Sequence, residues 1–455
     1  MTILFNFTAT IEKNKMNYLP LIVFVLSVFH CLNLYAVQGQ PDKIRVLIIK
    51  DVDSLRFQNN GMKIIKTSLP ADSFEMITEG IVTAVSVNGN ILFSTGGGVI
   101  TGSNSKTVKL KGESSSATLI IKDVLYGAGW WWEGREDRIY EGEILIYTNQ
   151  NNKLSVVVSL PLEEYLKGVV PYEIGGNSPL EALKAQAVAA RSEAVMALQS
   201  KLFSGEYYDL TSDVECQVFS GNKGRTTLSD SAVILTKDLI LTEKGLPISA
   251  YYASNCGGHS EIISNVWSTR TEFNTYMNGY SDFLIRETTN LSNEEAATNW
   301  INSKPDVLCN PSAGIELPSW SKNYFRWQVE YNLDTLTNMF NRSKTAGRFK
   351  HIEPLERGVS GRIIKANFVF ENDKFEVTGE LNIRMQFKPA LRSSCFITKV
   401  EGNVLTLNGA GWGHGVGMCQ SGAVSLSLQG KSFNDILAHY YPGTEVLPIS
   451  KIVKE

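Results

Sequence analysis

A single glutamate, Glu173, stands in the run Val169-Val170-Pro171-Tyr172-Glu173-Ile174, with Gly175-Gly176 directly after it. Apolar neighbours raise a carboxyl pKa because burial penalises the charged form. The two glycines open space beside the side chain. Together these features suit a general acid that works at neutral pH. The run reads as the end of a strand or a turn. Further on, Lys184 and Arg191 fall within roughly 40° of Leu180 on a helical wheel, so both cations point into an apolar stripe. A buried cation is costly unless it is paired. Core salt bridges to Glu163 or Glu164 would meet that need. So would a basic wall facing an acidic catalytic group, which is the functional expectation, with Glu173 as the acid, because perturbed charges gather at functional sites.

A second dense segment is Asn408–Ala423, where glycines alternate with other residues through the first half. Such a segment lets the backbone approach a ligand or another strand closely. Its candidate substrate-binding residues are Trp412, His414 and Gln420. His414 suits a proton carrier or a satisfied buried imidazole. No Gly-Lys-Ser/Thr follows, so this is not a phosphate loop. A third segment, Ala250–Glu261, carries Cys256 and His259, and Asp213–Gly221 upstream carries Cys216 and Gln217. Trp130-Trp131-Trp132 is an aromatic patch in a loop, suited equally to stacking on sugar faces and to plugging a gap between domains.

The elements that position these residues can be read from periodicity. Ser178, Pro179 and Glu181 form a capping box with proline at the first helical position. Leu180, Leu183, Ala187, Ala190, Ala194 and Leu198 then recur at helical spacing. The stripe is mostly alanine, so something packs close against it. From Lys43 to about Leu160 the pattern is β-like. Ile81–Val87, Asn88-Gly89-Asn90 and Ile91–Phe93 make a hairpin signal. Residues 161–200 read as helical, with a further helix over Asn293–Trp300. Ser432 with Asp435 starts a helix over Phe433–Tyr440. The expected fold is α+β. A β-rich N-terminal region spans 37–150. A mixed catalytic region spans 151–450, with the alanine-rich helix beside the glutamate and a β-rich insertion at about 325–407. No period of 20–50 residues recurs, which excludes a solenoid.

The chain has 455 residues, 43% hydrophobic and 20% charged, an ordinary globular composition. Its net charge of −3 offers no basic excess for nucleic acid. Tyr18–Ala36, preceded by Lys13 and Lys15, reads as a secretory signal peptide occupying residues 1–36. An uncleaved anchor is the alternative, since the segment approaches spanning length. The expected location is therefore secreted, periplasmic or at the cell envelope.

Four motifs occur in order: L-P-L-E-E-Y-L-K-G-V-V-P-Y-E, A-L-K-A-Q-A-V-A-A-R, C-G-G-H-S-E and G-H-G-V-G-M-C-Q-S-G-A. Over roughly Ile144 to Leu447 they resemble the stage II sporulation protein D family, also called SpoIID/LytB. The resemblance implies a bacterial cell-wall protein acting on peptidoglycan glycan strands. One expectation is a lytic transglycosylase preferring strands stripped of stem peptides. The other is a non-catalytic, wall-binding enhancer of an N-acetylmuramoyl-L-alanine amidase. Glu173 matches the family's catalytic acid, and Lys184 and Arg191 match its functional basic positions. The chain departs from the family at Ala253, where many members carry His, at Ser192-Glu193 in place of Thr-Tyr, and at Cys419 in place of Ser. In the implied mechanism Glu173 protonates the glycosidic oxygen, an oxocarbenium-like state forms, and Glu173 then takes the proton of the MurNAc 6-hydroxyl as that oxygen attacks the anomeric carbon. Lys184 and Arg191 would hold the lactyl carboxylate or tune Glu173.

That chemistry requires no cofactor. Cys216, Cys256, Cys309, Cys395 and Cys419 lie beyond the signal peptide, an odd number that leaves at least one thiol free or intermolecular. An exported protein suits a disulfide, Cys216–Cys256 or Cys256–Cys309. A structural zinc on Cys216, Cys256, His259 and Cys309 is the alternative, and at least one family member resembles a zinc binder in this region.

Overall fold

Alternating burial along the strands of the first half builds two facing sheets. Leu55 and Phe57, Val82 and Ala84, Ile91 and Phe93, and Leu119 and Ile121 are all buried, each pair separated by one residue that points the other way. These strands belong to a six-stranded antiparallel sheet ordered Gly134–Tyr140, Thr118–Tyr126, Ser54–Asn60, Ile81–Val87, Asn90–Thr95, Gly98–Ser103. The expected hairpin is present. Val87 pairs with Asn90, and Asn88 and Gly89 between them both have positive φ, as a two-residue hairpin turn requires. A seven-stranded sheet runs Leu210–Thr211, Ile44–Val52, Leu154–Leu160, Glu143–Thr148, Thr107–Gly112, Met62–Lys66, Ser73–Glu75. The computed structural model describes residues 43–452 apart from 67–72, 76–79, 97, 104–105, 113, 115, 268–277, 286–288, 313, 315 and 341–344. The expected signal peptide, 1–36, lies outside the described residues. Among the described residues no helix is long and apolar enough to cross a membrane.

The expected boundary at 150/151 cuts through paired strands. Glu143–Thr148 and Leu154–Leu160 are antiparallel neighbours, and Leu154–Leu160 also pairs with Ile44–Val52. The inward residues of both sheets share one hydrophobic core with Tyr165, Leu166, Val170, Leu183, Ala187 and Ala190. The N-terminal strands therefore do not part from the following region at 150, because the two halves bury one common face.

Helix α1 spans Leu162–Ile174, with Glu163 and Glu164 in its first turn. Acidic residues there suit the positive end of the helix dipole. Pro171 lies inside the last turn and Gly175, at φ 84°, ends the helix. Glu173 thus sits on the last turn of a helix, a correction to the strand or turn end expected. Helix α2 spans Leu180–Ser200 and has no side-chain cap. The Ser178 hydroxyl instead donates to the Ile174 carbonyl at 2.5 Å, closing α1. Ala182, Ala187, Ala190 and Ala194 of α2 join the first core, while Ala185, Val188 and Ala189 join a second. A helix apolar all round is a buried one, and alanine lets neighbours approach it on every side.

The second core brings together Ala250, Val416, Met418, Ala423, Ile436 and Leu437. Tyr252–Ala253 pairs in parallel with Met418–Cys419, which joins the third dense segment to the glycine-rich one. A Cβ at Gly417, where φ is +74°, would lie 1.9 Å from the Tyr251 carbonyl oxygen, so only glycine permits this approach. Helix α3, Gln420–Leu428, follows directly, and helix α4, Phe433–Tyr440, starts on the expected Ser432/Asp435 capping box. The strands expected at about 325–407 form two three-stranded sheets over a third core that includes Phe340, Phe349, Phe368, Phe387 and Leu405.

Candidate active site

Glu173 is partly exposed as a residue, while its carboxyl is enclosed. Burial pushes its pKa up to about 7, against the hydrogen bonds that favour its charged form. Those bonds come from the Val218 N–H, at 2.9 Å from Oε1, and from the side chains of Gln420 and Tyr252. The second set of groups is itself held. The Tyr252 hydroxyl is 2.9 Å from Gln217 Oε1, and Gln420 Nε2 donates to Gln186 Oε1 at 3.1 Å. The cage therefore draws on α1, α2, the 217–218 loop, the Tyr252 strand and the start of α3. No carboxylate is among the groups bonded to Glu173.

Lys184 and Arg191 do not face this carboxyl, a correction to the expected basic wall. Arg191 is fully buried and grips Glu163 with two parallel bonds, Nε to Oε1 and Nη2 to Oε2, both 2.8 Å. Its Nη1 donates to the Leu239 carbonyl at 3.0 Å. The core salt bridge to Glu163 is the arrangement formed, and it fastens the start of α1 to the middle of α2. Lys184 pairs with Glu181 one turn away at 2.7 Å. Glu181 in turn accepts from the Phe433 N–H at 2.8 Å, tying α2 to α4.

Of the glycine-rich candidates, Gln420 reaches Glu173 and the other two do not bond to it. His414 is enclosed, and burial, with Arg362 and Arg384 nearby, lowers its pKa to about 3. Its Nδ1 accepts from the Val416 N–H at 3.0 Å, and the ring packs on Trp267 at 4.9 Å. It is the satisfied imidazole of the two expectations and stays neutral at physiological pH. Trp412 packs at 4.7 Å from Trp131, 5.4 Å from Trp132 and 3.8 Å from Tyr324, measured between ring centroids. Trp130 stacks on Trp132 and bridges to Ala390, so these two indoles fill a junction. Trp131 is 40% exposed.

The cysteine expectations also change. Cys216 packs on the first core, away from Cys256 in the second. Both ring nitrogens of His259 face carbonyl oxygens, Ser260 at 2.7 Å and Thr289 at 2.6 Å, which leaves neither for a metal. The group that does converge is Cys256, Asp282, Cys309 and Cys419, all buried, with donor atoms within 4.8 Å of one another. The Cys256 and Cys309 sulfurs are 3.7 Å apart and the described cysteines are free thiols. Burial raises the Cys256 and Cys309 pKa values. Burial opposes ionisation of Cys419 as well, but the two other thiols bond to it and bring its pKa down. Asp282 Oδ1 accepts from the Tyr440 hydroxyl at 2.9 Å, while its Oδ2 is buried without a partner. Cys256, Asp282 and Cys419 line a cavity of about 20 Å³.

Residues 150–242, which carry Glu173, Lys184, Gln186, Arg191 and Gln217, match the stage II sporulation protein family, SpoIID. Over this stretch the chain belongs to the SpoIID family. Residues 261–417 match a separate domain of unknown function, so Tyr252 and Gln420 lie outside both matches. An uncharacterized protein of Brachyspira hyodysenteriae is 28% identical over 68% of this chain and 73% of that protein. The amidase enhancer of Bacillus subtilis is 30% identical over 61% of this chain but only 40% of its own length. Stage II sporulation protein D of Bacillus amyloliquefaciens is 26% identical over 69% of this chain and 82% of that protein.

Sequence reasoning had no role for Tyr252, Gln186, Gln217 or Asp282. Gln186 and Gln217 did carry a signal, being polar residues inside apolar runs. Nothing local distinguishes Tyr252 from Tyr251, because the difference lies in which of them the parallel bridge turns toward α1.

Proposed function

We propose that this chain cleaves peptidoglycan glycan strands between MurNAc and GlcNAc by lytic transglycosylation, acting on strands freed of stem peptides. The observation that carries the reading is Glu173, an enclosed carboxyl with a pKa near 7 on the last turn of α1. At that pKa it can give a proton and take one back at neutral pH. It first protonates the glycosidic oxygen as the bond from that oxygen to the anomeric carbon breaks. Its carboxylate, steadied by the Val218 N–H, Gln420 and Tyr252, then takes the proton of the MurNAc 6-hydroxyl as that oxygen bonds the same carbon. No water is consumed and Glu173 ends protonated as it began. One carboxyl serves both steps, which suits a cage with no second carboxylate; hydrolases that invert or retain use two. Arg191 and Lys184 act as positioning residues here, through Glu163 and Glu181. The amidase-enhancer relative favours a second reading, in which the chain binds the wall and stimulates an amidase.

The test is a digest of purified peptide-stripped glycan, with the wild type and Glu173→Gln compared by mass spectrometry. Anhydro-MurNAc ends from the wild type alone are expected. Reducing ends would replace the mechanism by hydrolysis. No cleavage by the wild type would overturn the enzyme reading in favour of the enhancer.

We also propose that Cys256, Asp282, Cys309 and Cys419 hold a structural zinc. Three thiolates and a carboxylate are a tetrahedral zinc donor set. The unpartnered Asp282 Oδ2 and the small cavity beside it fit such an ion. It would supply a fixed cross-link between segments and no part of the bond cleavage.

A further inference from the structure

A row of aromatic rings leads away from Glu173. A Cβ on Gly175, two residues beyond it, would lie 3.1 Å from the Trp320 indole nitrogen. Trp320 packs at 5.9 Å from Tyr324, Tyr324 at 3.8 Å from Trp412, and Trp412 at 4.7 Å from the exposed Trp131. The Arg392 guanidinium lies over the Trp131 ring, 4.9 Å from its centroid. Its position is fixed through its own backbone, since its carbonyl accepts the Gly413 N–H at 2.9 Å.

Arg392 differs from the other buried or half-buried arginines near this row. Arg384 stacks on Trp130 but bonds to Glu380, and Arg191 is taken by Glu163. Arg326 spends its donors on the carbonyls of Phe325, Trp300, Ile301 and Gly257. Among the described residues Arg392 has no carboxylate partner, and its Nε is buried without a hydrogen bond. A half-buried cation left unpaired beside an exposed indole calls for an anion that also presents a flat apolar face. Neutral amino sugars offer the face without the charge. MurNAc whose stem peptide has been removed offers both, because its lactyl group ends in a free carboxylate.

We propose that Trp131, Trp412 and Arg392 form an outlying glycan subsite that recognises the lactyl carboxylate of peptide-free MurNAc. The proposal rests on the cleavage reading above for its substrate and assigns Arg392 the task that Lys184 and Arg191 cannot perform, since both are already paired. Trp131 supplies the stacking surface, and Arg392 makes the subsite selective for stripped strands.

The test is calorimetric binding to the full chain carrying Glu173→Gln, so that cleavage, or its absence, does not enter the measurement. The ligands are peptide-stripped glycan strands and the same strands with their lactyl carboxylates reduced to alcohols. The unreduced strands are expected to bind about tenfold more tightly, as one charge-assisted pair would give. Adding Arg392→Gln removes that preference, Arg392→Lys retains it, and Trp131→Ala weakens both ligands. Thermal melts confirm that each variant is folded. A preference that survives Arg392→Gln, or is lost equally in Arg392→Lys, overturns the assignment. Unchanged affinity in Trp131→Ala does the same and leaves the indoles as a packed junction. A wild type that fails to cleave yet shows the preference would remove the enzyme reading and keep the subsite.

Discussion

Glu173 is the residue on which the chemistry turns, and its raised pKa has two measurable consequences of opposite practical sign. The group acts first as an acid, so kcat/KM on stripped glycan should hold level below about pH 7 and fall roughly tenfold per pH unit above it. An activity that rises through this range would mean the carboxylate is the working form at the start. For stability the native state holds the Glu173 proton more tightly than the unfolded chain does. Its contribution is fully present below the ordinary value of 4.5 and is lost as pH rises through about 7. Glu173→Gln stays neutral and escapes that loss. It should be the more stable protein at pH 8, by as much as about 3 kcal/mol, and indistinguishable from the wild type near pH 4. Urea unfolding at the two pH values reads the difference directly, and a variant less stable than its parent at pH 8 would contradict the burial cost inferred for the carboxyl. His414 adds nothing to either profile near neutrality, because it is uncharged there.

At the scale of elements, the alanine-rich helix α2 was plain from its spacing, and so was the inward direction of Lys184 and Arg191. Their partners were not. A helical wheel gives the side on which Arg191 points, but choosing Glu163 over Glu173 depends on how α1 crosses α2, which no periodicity within one helix encodes. The same limit hid the thiol group. Cys256, Cys309 and Cys419 lie far apart in sequence, and the parallel bridge between Tyr252–Ala253 and Met418–Cys419 brings two of them together. Sequence spacing favoured Cys216 and His259 instead, one of which packs in another core and the other of which spends its ring on carbonyls. If four segments are joined by a zinc ion, metal removal should loosen them together. Purified chain should carry about one zinc, lose it in Cys419→Ser and Asp282→Asn, and melt several degrees lower after chelation. A metal-free chain two hydrogens lighter than its sequence mass would show a Cys256–Cys309 disulfide in its place.

For the whole molecule, the β-rich character of the first 160 residues and the mixed character of the rest were legible, while the way they join was not. Composition changes near residue 150, and a turn at Asn149–Asn152 separates the strands there, so a domain boundary is the natural inference from sequence. The cores argue otherwise. Val156, Val158, Leu166 and Val170 on one side of that turn are buried against Val46, Val108, Ile144 and Ile146 on the other. A fragment starting at residue 151 would expose those side chains, each worth about 1.5–3 kcal/mol on burial, and would leave Leu154–Leu160 without either neighbouring strand. That deficit exceeds the roughly 5–15 kcal/mol by which a folded chain of this kind is stable. The fragment is therefore expected to lack a cooperative thermal transition and fixed near-ultraviolet circular dichroism, although it keeps Glu173, Arg191, Tyr252 and Gln420. A fragment with a sharp transition would show that the helices and the glycine-rich segment hold the Glu173 cage by themselves. The expected failure would mean that the N-terminal strands are part of what keeps α1, and with it the carboxyl, in place.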